Sequence, residues 1–173
     1  MINGMEAEMM LMSDSKVTKW TQIACAVMVA ALIMLQFAPF WYVGDEAGSS
    51  ASVNAYVWFP ENHKDVGRYL EANVEGYTIN SIVPANVLVW VLGVAGVILA
   101  CVQNGHVLTS VVHLAAGACG AWGYLTLPAM QLGSGWLLHL ALCLALVACG
   151  VTGVAAAIKE IGEYRAACKQ KKG

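Results

Sequence analysis

Two histidines, His113 and His139, sit inside long apolar stretches and are the side chains best suited to chemistry in this sequence. An ionisable group inside a membrane is costly. It is typically kept for proton handling, for ligand or metal binding, or for a specific hydrogen bond. Five cysteines, Cys25, Cys101, Cys119, Cys143 and Cys149, lie in similar surroundings, where a close thiol pair supports disulfide chemistry. A third group, Glu61, His63 and Asp65, has metal-ligand residue types in a polar stretch.

Spacing limits each of these. At the rise of a helix, His113 falls about 10 Å from one end of its segment, and His139 near the opposite membrane face about 15 Å away. One haem takes both axial ligands at a single iron, so this pair does not share one. The expected role is two neutral histidines in interhelical hydrogen bonds, His113 facing the Thr152 region and His139 facing Tyr124 or Thr126. The cysteines form no Cys-x-x-Cys motif and no metal spacing. No close thiol pair is evident, so they read as small packing residues. Glu61, His63 and Asp65 are two apart on an expected helix and point away from one another, which reads as a solvated acidic surface without a metal. No hydrolase, kinase, P-loop or zinc motif is present. The apolar stretches contain no carboxylate for acid–base work. The chain is therefore expected to be no enzyme, with no catalytic residue and no cofactor.

The elements that carry these residues follow from composition and charge. Of 173 residues, 59% are hydrophobic and 12% charged, with a mean hydropathy of +0.64. A soluble domain carries about 25% charged residues. A net charge of −2 gives no field for anionic partners such as nucleic acid. Residues 76 to 158 include no Asp, Glu, Lys or Arg, which is room for three membrane crossings of about 20 residues each. A further apolar segment runs from Trp20 to Val43, with Pro39 placed to kink or end it. Trp20 and Trp41 lie about 31 Å apart along a helix and, with Trp136, are expected membrane-interface anchors.

The expected fold is an all-α integral membrane protein: one domain, an antiparallel left-handed four-helix transmembrane bundle. Its parts are an N-terminal segment 1–19, crossings at 20–43, 84–103, 106–128 and 136–158, an outer loop at 44–83 and a basic tail at 159–173. Pro84 suits the start of the second helix, and Asn104-Gly105 and 131–135 are short turns that force antiparallel neighbours. Lys16, Lys19, Lys159, Arg165, Lys169, Lys171 and Lys172 share one side, against Lys64 and Arg68 on the other. This asymmetry predicts both termini in the cytoplasm of a multi-pass plasma-membrane protein. In the outer loop, residues 53–59 have strand-type composition. Pro60 to Gly76 reads as a helix whose Val66, Tyr69, Leu70 and Val74 share one face. With Trp58 and Phe59 these form an expected contact surface on a small folded cap.

Membrane helices associate through small and polar residues, because lipid is as apolar as leucine. Each later helix shows such a seam at alternating spacings of three and four. The second has Asn86, Val89, Gly93, Gly96, Ala100 and Gln103. The third has His106, Ser110, His113, Gly117, Gly120 and Tyr124. The fourth has His139, Cys143, Leu146, Gly150, Gly153 and Ala157, with Thr152 as a further intramembrane polar candidate. The first is weaker: Gln22, Ala26, Val29, Ile33 and Gln36. A repeat near 3.5 residues implies left-handed packing.

Four helices without intramembrane acids or an inverted repeat do not suit an ion-coupled transporter. Two functions fit. The first is a non-catalytic protein acting through helix and loop contacts, with the lipid bilayer and a second copy or another membrane protein as partners. The second is an oligomeric pore lined by polar stripe residues. In topology the chain is similar to the claudin and peripheral-myelin-protein group: four helices, internal termini, and a long first outer loop containing tryptophan. Trp41 and Trp58 correspond, while that group's paired loop cysteines and Gly-Leu-Trp motif are absent. The resemblance implies a contact or assembly role.

Overall fold

The computed structural model describes residues 16–37, 39–44, 50–54, 79–102, 107–125 and 134–170. Four helices account for most of them: α1 (Lys16–Leu35), α2 (Ile79–Val102), α3 (Val107–Leu125) and α4 (Ser134–Gln170). Within α1, α3 and α4 lie segments long and apolar enough to cross a membrane, which marks a membrane protein. The apolar part of α2, Asn86–Val102, is shorter. Two strands, β1 (Pro39–Gly44) and β2 (Ser50–Asn54), pair antiparallel, with a register irregularity between Pro39 and Trp41.

The first crossing is shorter than its apolar run. It ends at Leu35, not Val43, and a turn follows in which the Gln36 amide donates to the Ile33 carbonyl (3.3 Å). Pro39 accounts for this. It has no N–H to give the Leu35 carbonyl, its ring crowds that carbonyl, and it biases Ala38 away from helix. The following Phe40-Trp41-Tyr42-Val43 is aromatic and β-branched, so it suits a strand and occupies β1. Trp41 thus lies on a strand, not at a helix end. A strand lies at 50–54 and overlaps the start of the one expected at 53–59, whose remainder lies outside the described residues. Residues 55–78 lie outside the described residues, and with them the expected loop helix and Trp58, Phe59, Val66, Tyr69, Leu70 and Val74.

The second helix starts at Ile79, five residues before Pro84. Pro84 therefore sits inside the helix, where it forfeits a hydrogen bond to Asn80. The third helix spans 107–125. The fourth is one unbroken helix into the basic tail. At 1.5 Å per residue it is about 55 Å long, well beyond a hydrocarbon core of about 30 Å.

Each helix packs on the next, and α4 closes on α1. The contacts give the directions. Gly96 of α2 faces His113 of α3, and Asn86 meets Tyr124. Gly117 of α3 faces Cys143, and Gly150 faces Leu114. Gly153 of α4 faces Thr21 of α1, and His139 meets Gln36. Along each pair one number rises as the other falls, so neighbours run antiparallel.

The interior holds Cys25, Val29, Leu32, Val89, Ala116, Tyr124, Cys143, Leu146 and Ala157, with Asn86, Ser110, His113 and His139. Gly93, Gly96, Gly117, Gly120, Gly150 and Gly153 are buried too. Outward faces carry Ile23, Val27, Val91, Ile98, Leu144 and Val151. This division is inverted from a soluble protein only on the outside: lipid takes the large apolar side chains and the small and polar ones meet each other.

Candidate functional site

The buried polar groups fall into two clusters, one toward each end of the bundle. The outer cluster draws one residue from each helix or its end: Gln36, Asn86, Tyr124 and His139. All four are buried at 1% exposure or less. The His139 Nδ1–H donates to the Gly135 carbonyl one turn back (2.7 Å), which leaves Nε2 as an acceptor. Gln36 Nε2 donates to it at 3.3 Å. The Tyr124 hydroxyl donates to Asn86 Oδ1 (3.3 Å) and lies near the Gln36 side chain. The Tyr124 and His139 rings meet edge to face with centroids 5.6 Å apart, a favoured geometry for such rings. Trp136 lies beneath and donates from Nε1 to the Tyr124 carbonyl (3.0 Å). Its indole ties α4 to the open end of α3, a more specific task than anchoring at an interface. Trp20 is 68% exposed on α1.

The inner cluster is Thr18, Gln22, Thr109, Ser110 and His113, all buried. His113 repeats the back-bond of His139: its Nδ1–H donates to the Thr109 carbonyl (2.9 Å). Its Nε2 has no hydrogen-bond partner among the described residues and points at the backbone of Gly96, where an added Cβ would lie 2.7 Å away. Ser110 Oγ and Thr21 Oγ1 both press on Gly153. Sequence reasoning placed His113 opposite Thr152. Thr152 is instead exposed, and its hydroxyl bonds back to the Ala148 carbonyl (2.8 Å). The seam of α4 runs through Gly150, Gly153 and Ala157, which turns Thr152 outward. Replacing Thr152 by alanine is accordingly expected to change unfolding free energy by less than about 0.5 kcal/mol, measured by denaturing-detergent titration.

Gly96 and His113 form a coupled pair. Gly96→Ala sets a methyl against an imidazole that its bond to Thr109 holds in place, an overpacking cost of about 1–3 kcal/mol. In a His113→Ala background the same change should cost far less. A double-mutant cycle reads the difference, and additivity of the two changes would refute the contact.

The two clusters do not converge. Eleven residues of α3 separate His113 from Tyr124, on which His139 packs, or about 16 Å. Apolar side chains including Val29, Val89, Ala116, Cys143 and Leu146 fill the interior. Among the described residues, no three of His, Cys, Asp and Glu gather as a metal site. Glu61, His63 and Asp65 lie outside them.

One pairing escaped the sequence. On α1 the buried line is Thr18, Gln22, Cys25, Val29, Leu32 and Gln36, not the line through Ala26 and Ile33. This phase carries Cys25 to the face that meets α4, where its thiol lies near that of Cys149. The expectation of no close thiol pair is thus corrected. The signal was present: Thr18 to Gln36 alternates spacings of four and three without a break.

No protein-family model matches the chain, and neither a curated protein nor a solved structure matches it.

Proposed function

We propose that the chain is a non-catalytic polytopic membrane protein that acts through contacts of its helices and outer loop, as an assembly, scaffold or accessory component. The observation that carries this is the direction of its polar groups. Asn86, Ser110, His113, Tyr124 and His139 are all turned into the protomer, at 2% exposure or less. Tyr124 bonds Asn86 and both histidines bond backbone carbonyls, while Asn86 Nδ2, Ser110 Oγ and His113 Nε2 have no hydrogen-bond partner among the described residues. Between Trp20 and Ile158 the large exposed side chains of the four helices are apolar, which leaves packing as their means of recognition there.

The pore reading needs the same polar residues on an outer face, where copies would meet around an axis. Burial of Asn86, Ser110 and His113 within one protomer favours the contact reading over such a lining. The 3.5-residue seams support a left-handed bundle. The lysine and arginine asymmetry supports cytoplasmic termini in a plasma membrane. The α1–α2 seam is the least closed: a shallow groove of about 380 Å³ opens to lipid there, lined by Ile23, Ala26, Ala30, Val97 and Ala100. Small residues of this kind admit close approach of another helix.

The reading is tested by mass measurement of complexes released from membranes in mild detergent. A defined assembly larger than one 18.3 kDa protomer, containing a second copy or a fixed partner, is expected. A protomer that is monomeric in membranes and in detergent, with no fixed partner, would overturn it.

A further inference from the structure

The α1–α4 seam brings two thiols together inside the membrane. The register is set independently on both sides of them. Thr21 faces Gly153 toward one end, and Gln36 bonds His139 toward the other. An antiparallel pair pinned at those two points places Cys25 opposite Cys149, with the two thiols near enough to influence each other. Gly153, one turn beyond Cys149, lets the helices approach closely: an added Cβ there would lie 2.9 Å from Thr21 Oγ1. Close approach is what a disulfide between helices requires, since its Cα atoms must come within about 7 Å. Cys25 is buried at 1% exposure, whereas Cys149 is half-buried and reachable from the side of the bundle. Cys143, by contrast, is fully buried with its sulfur against Gly120 on α3.

We propose that Cys25 and Cys149 are a reversible intramembrane dithiol–disulfide site, oxidised by a lipid-soluble quinone. The two S–H bonds break and one S–S bond forms. Two electrons and two protons pass to the quinone, whose two ring oxygens become the hydroxyls of the hydroquinone. The surroundings select this class of oxidant. Residues 76 to 158 carry no charge, and α1 has none after Lys19, so a charged oxidant in water does not reach the pair. An uncharged, membrane-soluble two-electron acceptor does. The disulfide would fasten α1 to α4. The site needs only the membrane embedding of these two helices, not the contact role proposed above.

The experiment uses the full chain, reduced, in liposomes with or without tetramethyl-para-benzoquinone, whose fully substituted ring leaves no open position for a thiol to add. Thiols are then alkylated after denaturation and each cysteine is mapped by mass spectrometry. Cys25 and Cys149 should lose labelling together, appear as one linked peptide pair, and regain labelling after dithiothreitol. Cys143 should keep its label throughout. In Cys149→Ser, Cys25 should stay fully labelled, and in Cys25→Ser so should Cys149. Retention of both labels in the unmodified chain after quinone treatment would overturn the proposal. So would loss at either cysteine that persists when the other is serine.

Discussion

Gly117→Leu is expected to unseat α3 from α4 at a cost of about 3 kcal/mol, the upper end of overpacking penalties. A Cβ at Gly117 would lie 2.7 Å from the Cys143 carbonyl oxygen and 2.9 Å from the Val147 amide nitrogen. Both are backbone atoms of a helix, so no rotamer change relieves the clash. Gly150 makes the reciprocal contact, 2.9 Å from the Leu114 backbone. The two glycines are two halves of one close approach. Once the helices have been pushed apart by the first change, Gly150→Leu should add less than its cost alone. Gly162 is the internal control. Nothing lies within 4 Å of a Cβ there, and Gly162→Ala should stabilise by about 0.5–1 kcal/mol through helix propensity. Reversible unfolding in mixed micelles checks all three, and a Gly117→Leu chain as stable as the parent would refute the seam.

His139→Ala carries the second large expected effect, also about 3 kcal/mol, because a deleted buried ring leaves a cavity. It also removes the acceptor of Gln36 Nε2 and the ring that Tyr124 packs against. His139→Phe separates the two contributions. It refills the space but leaves Gln36 unpaired, and an orphaned buried donor costs about 1–3 kcal/mol. The expected order of stability is parent, then Phe, then Ala. If Phe equals the parent, the Gln36–His139 hydrogen bond contributes nothing, and the outer cluster is held by packing alone.

Much of this architecture was legible before any coordinates. Charge-free length and short turns fix the number of helices, and the stripes through Gly93, Gly117 and Gly150 mark faces that are buried in the structure. Two kinds of feature were not legible. The first is where a strongly apolar run stops being helix. From Trp20 to Val43 hydropathy is continuous, yet Pro39 and the aromatic run after it turn the last part into β1, because hydropathy reports burial in lipid and not backbone conformation. The second is rotational phase on α1. Alanine at position 26 and isoleucine at 33 fit a seam as well by type as Cys25 and Leu32 do. Only the facing residues of α4 decide between them. That shift of one position hid the Cys25–Cys149 contact. On α4 the seam itself was legible, and Thr152, matched to His113 by depth alone, lies off it. The outer cluster was half legible. His139 was matched to Tyr124 by depth, but Gln36 and Asn86 joined it only once four helices were in register.

The central claim is that the polar residues of this bundle are turned inward to hold it together and do not line a path across the membrane. Liposomes loaded with a small fluorescent solute and reconstituted with increasing amounts of the chain test it most directly. Release indistinguishable from protein-free liposomes is expected at every protein density. Release that rises in proportion to reconstituted protein, and falls when Asn86 or His113 is replaced by leucine, would contradict it.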